Sequence, residues 1–199
     1  RKCGLTIDNL ISADMVLADG TFVTVNEHAH PDLFWAIRGG GGNFGIVTAF
    51  TYRLHDIHTL YAGPILYEMK DAAEVLRWYR EFIKDAPDDM NGFFAFMTVP
   101  PGPPFPEHLH MKKMCGVVWA YTGPLDKGME AFKPIRDFKT PALDLVGPIP
   151  HPALQSMFDA LYPTGLQWYW RADFVNDLPD EAIEQHLRFG EALPSMHST

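Results

Sequence analysis

In the stretch Leu166-Gln167-Trp168-Tyr169-Trp170-Arg171-Ala172-Asp173-Phe174 a phenol and a guanidinium stand two residues apart. On an extended strand such residues share a face. Tyr169 and Arg171 would then donate hydrogen bonds in one direction, the requirement for steadying an oxyanion on a bound substrate. The same alternation puts Leu166, Trp168, Trp170, Ala172 and Phe174 on the opposite face, ready to pack on helices. With Gln167 and Asp173 beside it, the polar face also reads as a solvated sheet surface. The second stretch is Arg38-Gly39-Gly40-Gly41-Gly42-Asn43-Phe44-Gly45-Ile46-Val47-Thr48. Glycine reaches positive φ and lets backbone come close to another group, at an entropic cost. The run suits a helix C-cap at Gly39 followed by a tight turn, or a backbone cradle against a ligand. It is not a dinucleotide fingerprint, which opens a helix after a strand; here a helical segment precedes the glycines and a β-type run follows them.

Other reactive side chains form no comparable pattern. His28-Ala29-His30 and His108-Leu109-His110 are i, i+2 pairs that on a strand could hold a metal, with Glu107 and Cys115 near the second. Loop histidines are the simpler reading, and no metal site is assigned. HExxH and CxxC are absent, and no G-x-S-x-G elbow supports a serine nucleophile. Cys3 and Cys115 are far apart in sequence and indicate no disulfide framework, which points to a reducing, cytoplasmic setting.

The 199 residues suffice for one large or two small domains. A net charge of −9 argues against nucleic acid or an anionic membrane as partner. No apolar run is long enough to span a bilayer. A small-molecule substrate, with a homo-oligomer as a further option, is the expected partner set.

Two strands are expected at Ser12–Leu17 and Thr21–Val25, joined by an Asp19-Gly20 hairpin turn. A short helix follows, Asp32 to Ile37, with Pro31 in its first turn; the next strand is Gly45–Leu54. Beyond a polar boundary near residues 55–58, Pro64–Met69 reads as a strand. Asp71 with Glu74 reads as a capping box for a helix carrying Val75, Leu76, Tyr79, Phe82 and Ile83 on one face. Strands are expected at Gly92–Val99, Met114–Tyr121 and Leu166–Val175, and helices at Leu125–Asp137 (bent or ended near Pro134), Pro152–Leu161 and Pro179–Leu193. Pro100–Pro106 reads as a stiff loop. The fold class is α+β, with antiparallel strands and helices on one face.

Gly4-Leu5-Thr6-Ile7-Asp8-Asn9-Leu10, Ala13-Asp14-Met15-Val16-Leu17-Ala18-Asp19-Gly20, Asn26-Glu27, Pro31-Asp32-Leu33-Phe34-Trp35-Ala36 and the glycine stretch follow in one order. Together they resemble the FAD-linked oxidases of the p-cresol methylhydroxylase (PCMH)/vanillyl-alcohol oxidase superfamily, on its berberine-bridge-enzyme-like side. The resemblance implies that residues 1–58 are the C-terminal half of a PCMH-type FAD-binding domain and residues 59–199 part of a substrate-binding domain, the chain being truncated at both ends. It implies FAD as cofactor, lined by backbone at Gly45, Ile46, Val47 and Thr48. It also lays the open sheet face with Tyr169 and Arg171 over the flavin. The implied reaction is hydride transfer from an alcohol- or amine-type carbon to flavin. The family's pyrophosphate-binding segment and covalent flavin anchor are not among these residues, so weak or no FAD binding by this stretch alone is expected. The alternative is a stand-alone domain without flavin activity, acting as an oligomeric binding protein or a histidine-based metal-assisted one.

Overall fold

The computed structural model describes residues 2–199; Arg1, the start of the Arg1-Lys2-Cys3-Gly4 stretch, lies outside them. The chain forms two compact units, one ending at Asp56 and one beginning at Ile57.

The first unit is a three-stranded antiparallel sheet with one helix. β1 (Leu10–Val16) and β2 (Phe22–Asn26) are joined by a turn in which Gly20 donates to Leu17 O and Leu17 donates to Thr21 O. Gly20 takes φ 84, as the Asp-Gly signal requires. The Asp19 carboxylate accepts the Thr21 N–H at 2.9 Å, and that backbone bond holds its pKa below the usual range. α1 (Pro31–Ile37) starts on its proline. Ala13, Met15, Val25 and Phe34 bury together, the alternate residues of β1 facing the helix. β3 (Ile46–Tyr52) pairs with the other side of β1, giving the order β2-β1-β3. Its register slips between Asp14 and Met15, whose partners are Ala49 and Val47. Thr48 is the extra, bulged residue, and its hydroxyl donates to Asp14 O at 3.2 Å.

The second unit is built on β4 (Thr59–Glu68), buried throughout except at its two ends. β6 (Lys113–Tyr121) pairs with one side of β4 and β5 (Met90–Thr98) with β6. β7 (Leu143–Asp144) and β8 (Gly147–Pro150) share the other side of β4. α2 (Ala72–Asp85), α3 (Gly128–Ala131), α4 (Lys133–Phe138) and α6 (Asp180–Glu191) supply the helices of the main core. Trp119 of β6 is its centre and is fully buried. It meets Phe82 edge-on at 5.5 Å, Trp78 at 6.4 Å and Phe132 at 6.5 Å. Trp78 is itself stacked between Phe82 and Phe138. The opposite sheet face is covered at its two ends. α5 (His151–Ser156) brings Leu154 onto Leu60 and Ala62, and the proline-rich loop brings Leu109 and Phe105 onto Leu66, Val99 and Met114. His110 secures that loop, its Nε2 lying 3.2 Å from Gly102 N and 2.9 Å from Phe105 O.

Several expectations are corrected. Asp71 and Glu74 make no capping box; both carboxylates pair with Lys139, at 3.1 and 2.7 Å. The helix expected at Leu125–Asp137 divides at Phe132, as the expected interruption near Pro134 requires, because Pro134 lacks a donor and sits only in a first turn. The helix expected at Pro152–Leu161 stops at Ser156, followed by a single turn over Asp159–Leu161. The largest departure is Leu166–Val175, which pairs with no strand among the described residues. Its apolar side chains find no helix layer: Tyr169, Trp170, Phe174 and Val175 are all strongly exposed.

Two predictions follow from this packing. A Cβ at Gly92 would lie 2.6 Å from the Trp119 ring, whereas one at Gly147 meets nothing within 4 Å. Gly92→Ala should therefore cost about 1–3 kcal/mol by overpacking, read from urea midpoints, and Gly147→Ala should leave the midpoint in place. α6 is tied to α2 through Asp180, which meets Arg80 at 2.8 Å and Arg77 at 3.5 Å. The Arg80 hydrogen bond lowers the Asp180 pKa. A depressed carboxylate stabilises fully above its unfolded value of about 3.9 and stops doing so as pH falls through the lower folded value. The slower amide exchange of α6 in the parent relative to Asp180→Asn should hold at neutral pH and vanish on acidification; a difference that persists in strong acid would show that the pair is not its source.

Candidate functional site

Two regions carry the candidate residues, one in each unit. In the first, α1 ends at Ile37 and the chain turns through Arg38–Gly45 into β3. The glycines of this turn are required for different reasons. Gly40 donates to Ala36 O at 2.9 Å, and a Cβ there would sit 2.4 Å from the same oxygen. Gly45, at φ 144, passes so close to β1 that a Cβ would lie 2.6 Å from Val16 O. Gly39, Gly41 and Gly42 face open space, and the first two take φ 131 and 66. Asn43 braces the turn by donating to Gly40 O at 2.7 Å. The Arg38 guanidinium lies 4.8 Å above the Phe34 ring, and its Nε is buried with no hydrogen-bond partner among the described residues.

The residues expected to line a cofactor leave this turn along β3. Ile46 is 73% exposed opposite Val16, while Val47 turns inward opposite Met15. Thr48 is exposed on the bulge. β3 is an edge strand among the described residues, so alternate backbone N–H and C=O groups along it face away from β1. Open glycine backbone, an edge strand and a half-buried guanidinium suit a polar or anionic ligand gripped through main-chain groups. Gly45 must be glycine for a reason of its own, the close approach of its backbone to Val16 O.

In the second unit Tyr169 and Arg171 lie on the unpaired Leu166–Val175 segment. Both are exposed and neither makes a hydrogen bond or ion pair among the described residues. The indoles beside them pack locally. Tyr162 meets Trp168 at 5.2 Å and Trp170 at 5.1 Å, and His197 meets Trp168 at 6.1 Å. These rings border a cavity of about 520 Å³ rimmed by Gln167, Ser195 and Ser198. Sequence reasoning missed Tyr162 and His197; the density of aromatic residues from Phe158 to Phe174 was the available signal. A second cavity of about 390 Å³ lies between β5 and α6, lined by Phe94, Phe96, His186, Phe189 and Leu193.

Other reactive groups are accounted for. His28 and His30 are not on a strand: Asn26 Oδ1 accepts the His28 and Ala29 amides, and His30 is left-handed at φ 53. No group of three His, Cys, Asp or Glu side chains converges among the described residues. Both cysteines are free thiols. Burial pushes the Cys115 thiol up to about 12, which leaves it unreactive at neutral pH. No helix among the described residues is long and apolar enough to cross a membrane.

No protein-family model matches the chain. An FAD-linked oxidoreductase of Dictyostelium discoideum is 31% identical over 179 residues, 89% of this chain and 36% of that protein. The solved structure of a xylooligosaccharide oxidase from Myceliophthora thermophila, in complex with xylobiose, is similar over 74% of this chain and 29% of its own, with 27% identity and a TM-score of 0.56. A berberine-bridge-enzyme-like protein of Arabidopsis thaliana shares the fold over 98% of this chain and 41% of its own, with a TM-score of 0.69 at 24% identity. The chain thus spans about a third of the length of the relatives it matches. Taken with the hairpin, proline-started helix, glycine turn and edge strand in that order, these likenesses show that the chain is similar to a part of the FAD-linked oxidoreductases and has the fold of the berberine-bridge-enzyme-like oxidases.

Proposed function

We propose that this chain is part of an FAD-dependent oxidoreductase that oxidises an alcohol- or amine-type carbon of a small molecule. The observation that carries the reading is the Arg38–Thr48 turn, with its open glycine backbone, edge strand and buried Arg38 Nε. These residues fit FAD as a ligand held by main-chain groups and one guanidinium. When bound, the flavin supplies the hydride-accepting chemistry. Gly39, Gly41 and Gly42 would present main chain to its polar parts without a side chain in the way. Arg38 would contribute a fixed positive charge, and the Phe34 ring holds its guanidinium in place. The first unit would then be a partial FAD-binding domain and the second a substrate-binding domain.

Tyr169 and Arg171 would act on the substrate. A phenol and a guanidinium both donate hydrogen bonds. Two such donors would steady negative charge developing on a substrate oxygen, which would favour loss of hydride from the adjacent carbon. A xylooligosaccharide oxidase among the structural neighbours supports a substrate rich in hydroxyl groups. The metal-assisted alternative gains nothing from the structure, where no three ligands converge among the described residues.

The reading is tested by adding FAD at about 1 mM, a level that reveals even weak binding, to the labelled chain and following backbone amide resonances. Shifts confined to Arg38–Thr48, weakened about tenfold in affinity by Gly41→Val, are expected, because φ 66 excludes a β-branched residue. Unmoved amides in this turn would remove flavin binding by this chain from the reading. In flavin-loaded protein, Tyr169→Phe and Arg171→Met should each lower kcat by about 10²-fold with smaller changes in KM; unchanged turnover would discharge both residues from substrate contact.

A further inference from the structure

We infer that the cavity between β5 and α6 is a binding site for an uncharged, flat cyclic amide, a ring that carries an N–H and a C=O side by side. The inference stands apart from the flavin reading, which rests on the other unit. It starts from the edge of β5, which pairs with β6 alone among the described strands. Thr122 donates to Asp89 O at one end, and at the other Val99 donates to Lys112 O and accepts from Met111. The odd-numbered residues of β5 therefore bond towards β6, and the main-chain groups of Gly92, Phe94 and Phe96 point away from it. The Gly92 carbonyl agrees with this direction, since it accepts the Tyr79 hydroxyl at 2.6 Å. Phe94 and Phe96 thus offer two N–H donors and two carbonyl acceptors that no strand takes up among the described residues.

α6 overhangs these groups. His186, Phe189 and Gly190 lie at i, i+3 and i+4, on one face of the helix, and Leu193 follows just beyond its end. With Phe94 and Phe96 they enclose the cavity of about 390 Å³. The helix comes this near because residue 190 is glycine: a Cβ there would lie 2.5 Å from the Phe96 ring. Phe189 is 67% exposed, which leaves much of its ring for an occupant to cover.

The lining selects the occupant. It holds no Asp, Glu, Lys or Arg side chain, so an ion entering it would lose hydration without meeting a counter-charge. Its side chains are mostly apolar, and its volume lies towards the small end of the about 300–1,000 Å³ usual for small-molecule sites. What fits is a compact apolar body with a few polar atoms. Those atoms must meet strand main chain, whose donors and acceptors alternate in the plane of the sheet. An open-chain amide is trans and shows its N–H and C=O to opposite sides. A small ring locks the amide cis, so both groups face one way in one plane. Such a ring can donate to a carbonyl of the β5 edge and accept from an N–H of it at the same time, with Phe189 and Leu193 against its apolar part. His186, exposed at the mouth, presents a ring nitrogen to any further polar group.

The test uses the labelled 199-residue chain, with the two-ring cyclic amide carbostyril and its N-methyl derivative as probes at up to about 1 mM. In the free chain the Phe94 and Phe96 amides should exchange with solvent quickly. Carbostyril should shift both resonances and slow their exchange, and the N-methyl derivative, which has lost the donor, should bind about tenfold more weakly. Phe189→Ala removes an exposed ring, so the urea midpoint should stay in place while carbostyril binding weakens about fivefold. Equal binding of the two probes overturns the cyclic-amide assignment and leaves an apolar slot. Absence of shifts at Phe94 and Phe96, shifts centred on the Tyr162 and Trp168 cavity instead, or binding indifferent to Phe189→Ala each overturn the site. So do Phe94 and Phe96 amides already protected without ligand, which would show that protein occupies the edge.

Discussion

Trp119 and the strands beneath it must be kept from water on both faces of the second sheet, and the rest of that unit follows from this demand. An antiparallel sheet commonly leaves one face wet. Here β4 is buried from Leu60 to Tyr67, so both sides need cover. The helical side is met by an aromatic interlock of Trp78, Phe82, Phe132 and Phe138 around Trp119, whose edge-on contacts contribute about 0.5–1.5 kcal/mol each beyond area burial. Gly92 must be small because the Trp119 ring lies across it. Trp119 Nε1 is left without a partner among the described residues, and burying a donor in this way costs about 1–3 kcal/mol. The packing around the ring outweighs that loss.

The other face is covered by less regular means, and that difference governs what the sequence reveals. α2 is legible because Val75, Tyr79, Phe82 and Ile83 repeat at helical spacing and all reach the core. β6 is legible as an unbroken β-type run. β7 and β8 escape notice because Pro141, Pro148 and Pro150 and the single Gly147 mask a short pairing that only β4 calls into being. Asp71 and Glu74 have capping-box spacing, yet Lys139, distant in sequence, takes both carboxylates. Local pattern names a preferred partner; a tertiary neighbour with a full charge displaces it.

The candidate sites divide along the same line. The glycine stretch stands out in the sequence because four consecutive glycines carry an entropic penalty that some structural need must offset. What composition does not reveal is that Gly40 and Gly45 answer to the protein's own backbone, and that Gly39, Gly41 and Gly42 leave room for something else. The Thr48 bulge is equally hidden, since a one-residue register slip leaves no mark on residue type. Tyr169 and Arg171 are legible as a pair with a shared direction. Their position is not, because period-two alternation fixes which side chains travel together without fixing the strand they meet.

Strand edges connect these observations. β3 and β5 each end a sheet with half of their main-chain groups unladdered among the described residues, a state that proteins leave in place only when something is to occupy it or charge and shape discourage occupation. Neither edge is blunted by a row of lysines or by an interior proline. The two differ in what flanks them. Before β3 stand a glycine turn and the half-buried Arg38, whose Nε has no partner among the described residues, which suit a polar ligand held by backbone. Beside β5 stands a cavity walled by Phe94, Phe96, Phe189 and Leu193 with His186 on its rim, which suits a ligand with apolar parts. An aromatic segment as exposed as Tyr169–Val175 is costly to leave in water at about 25 cal/mol per Å² of apolar surface.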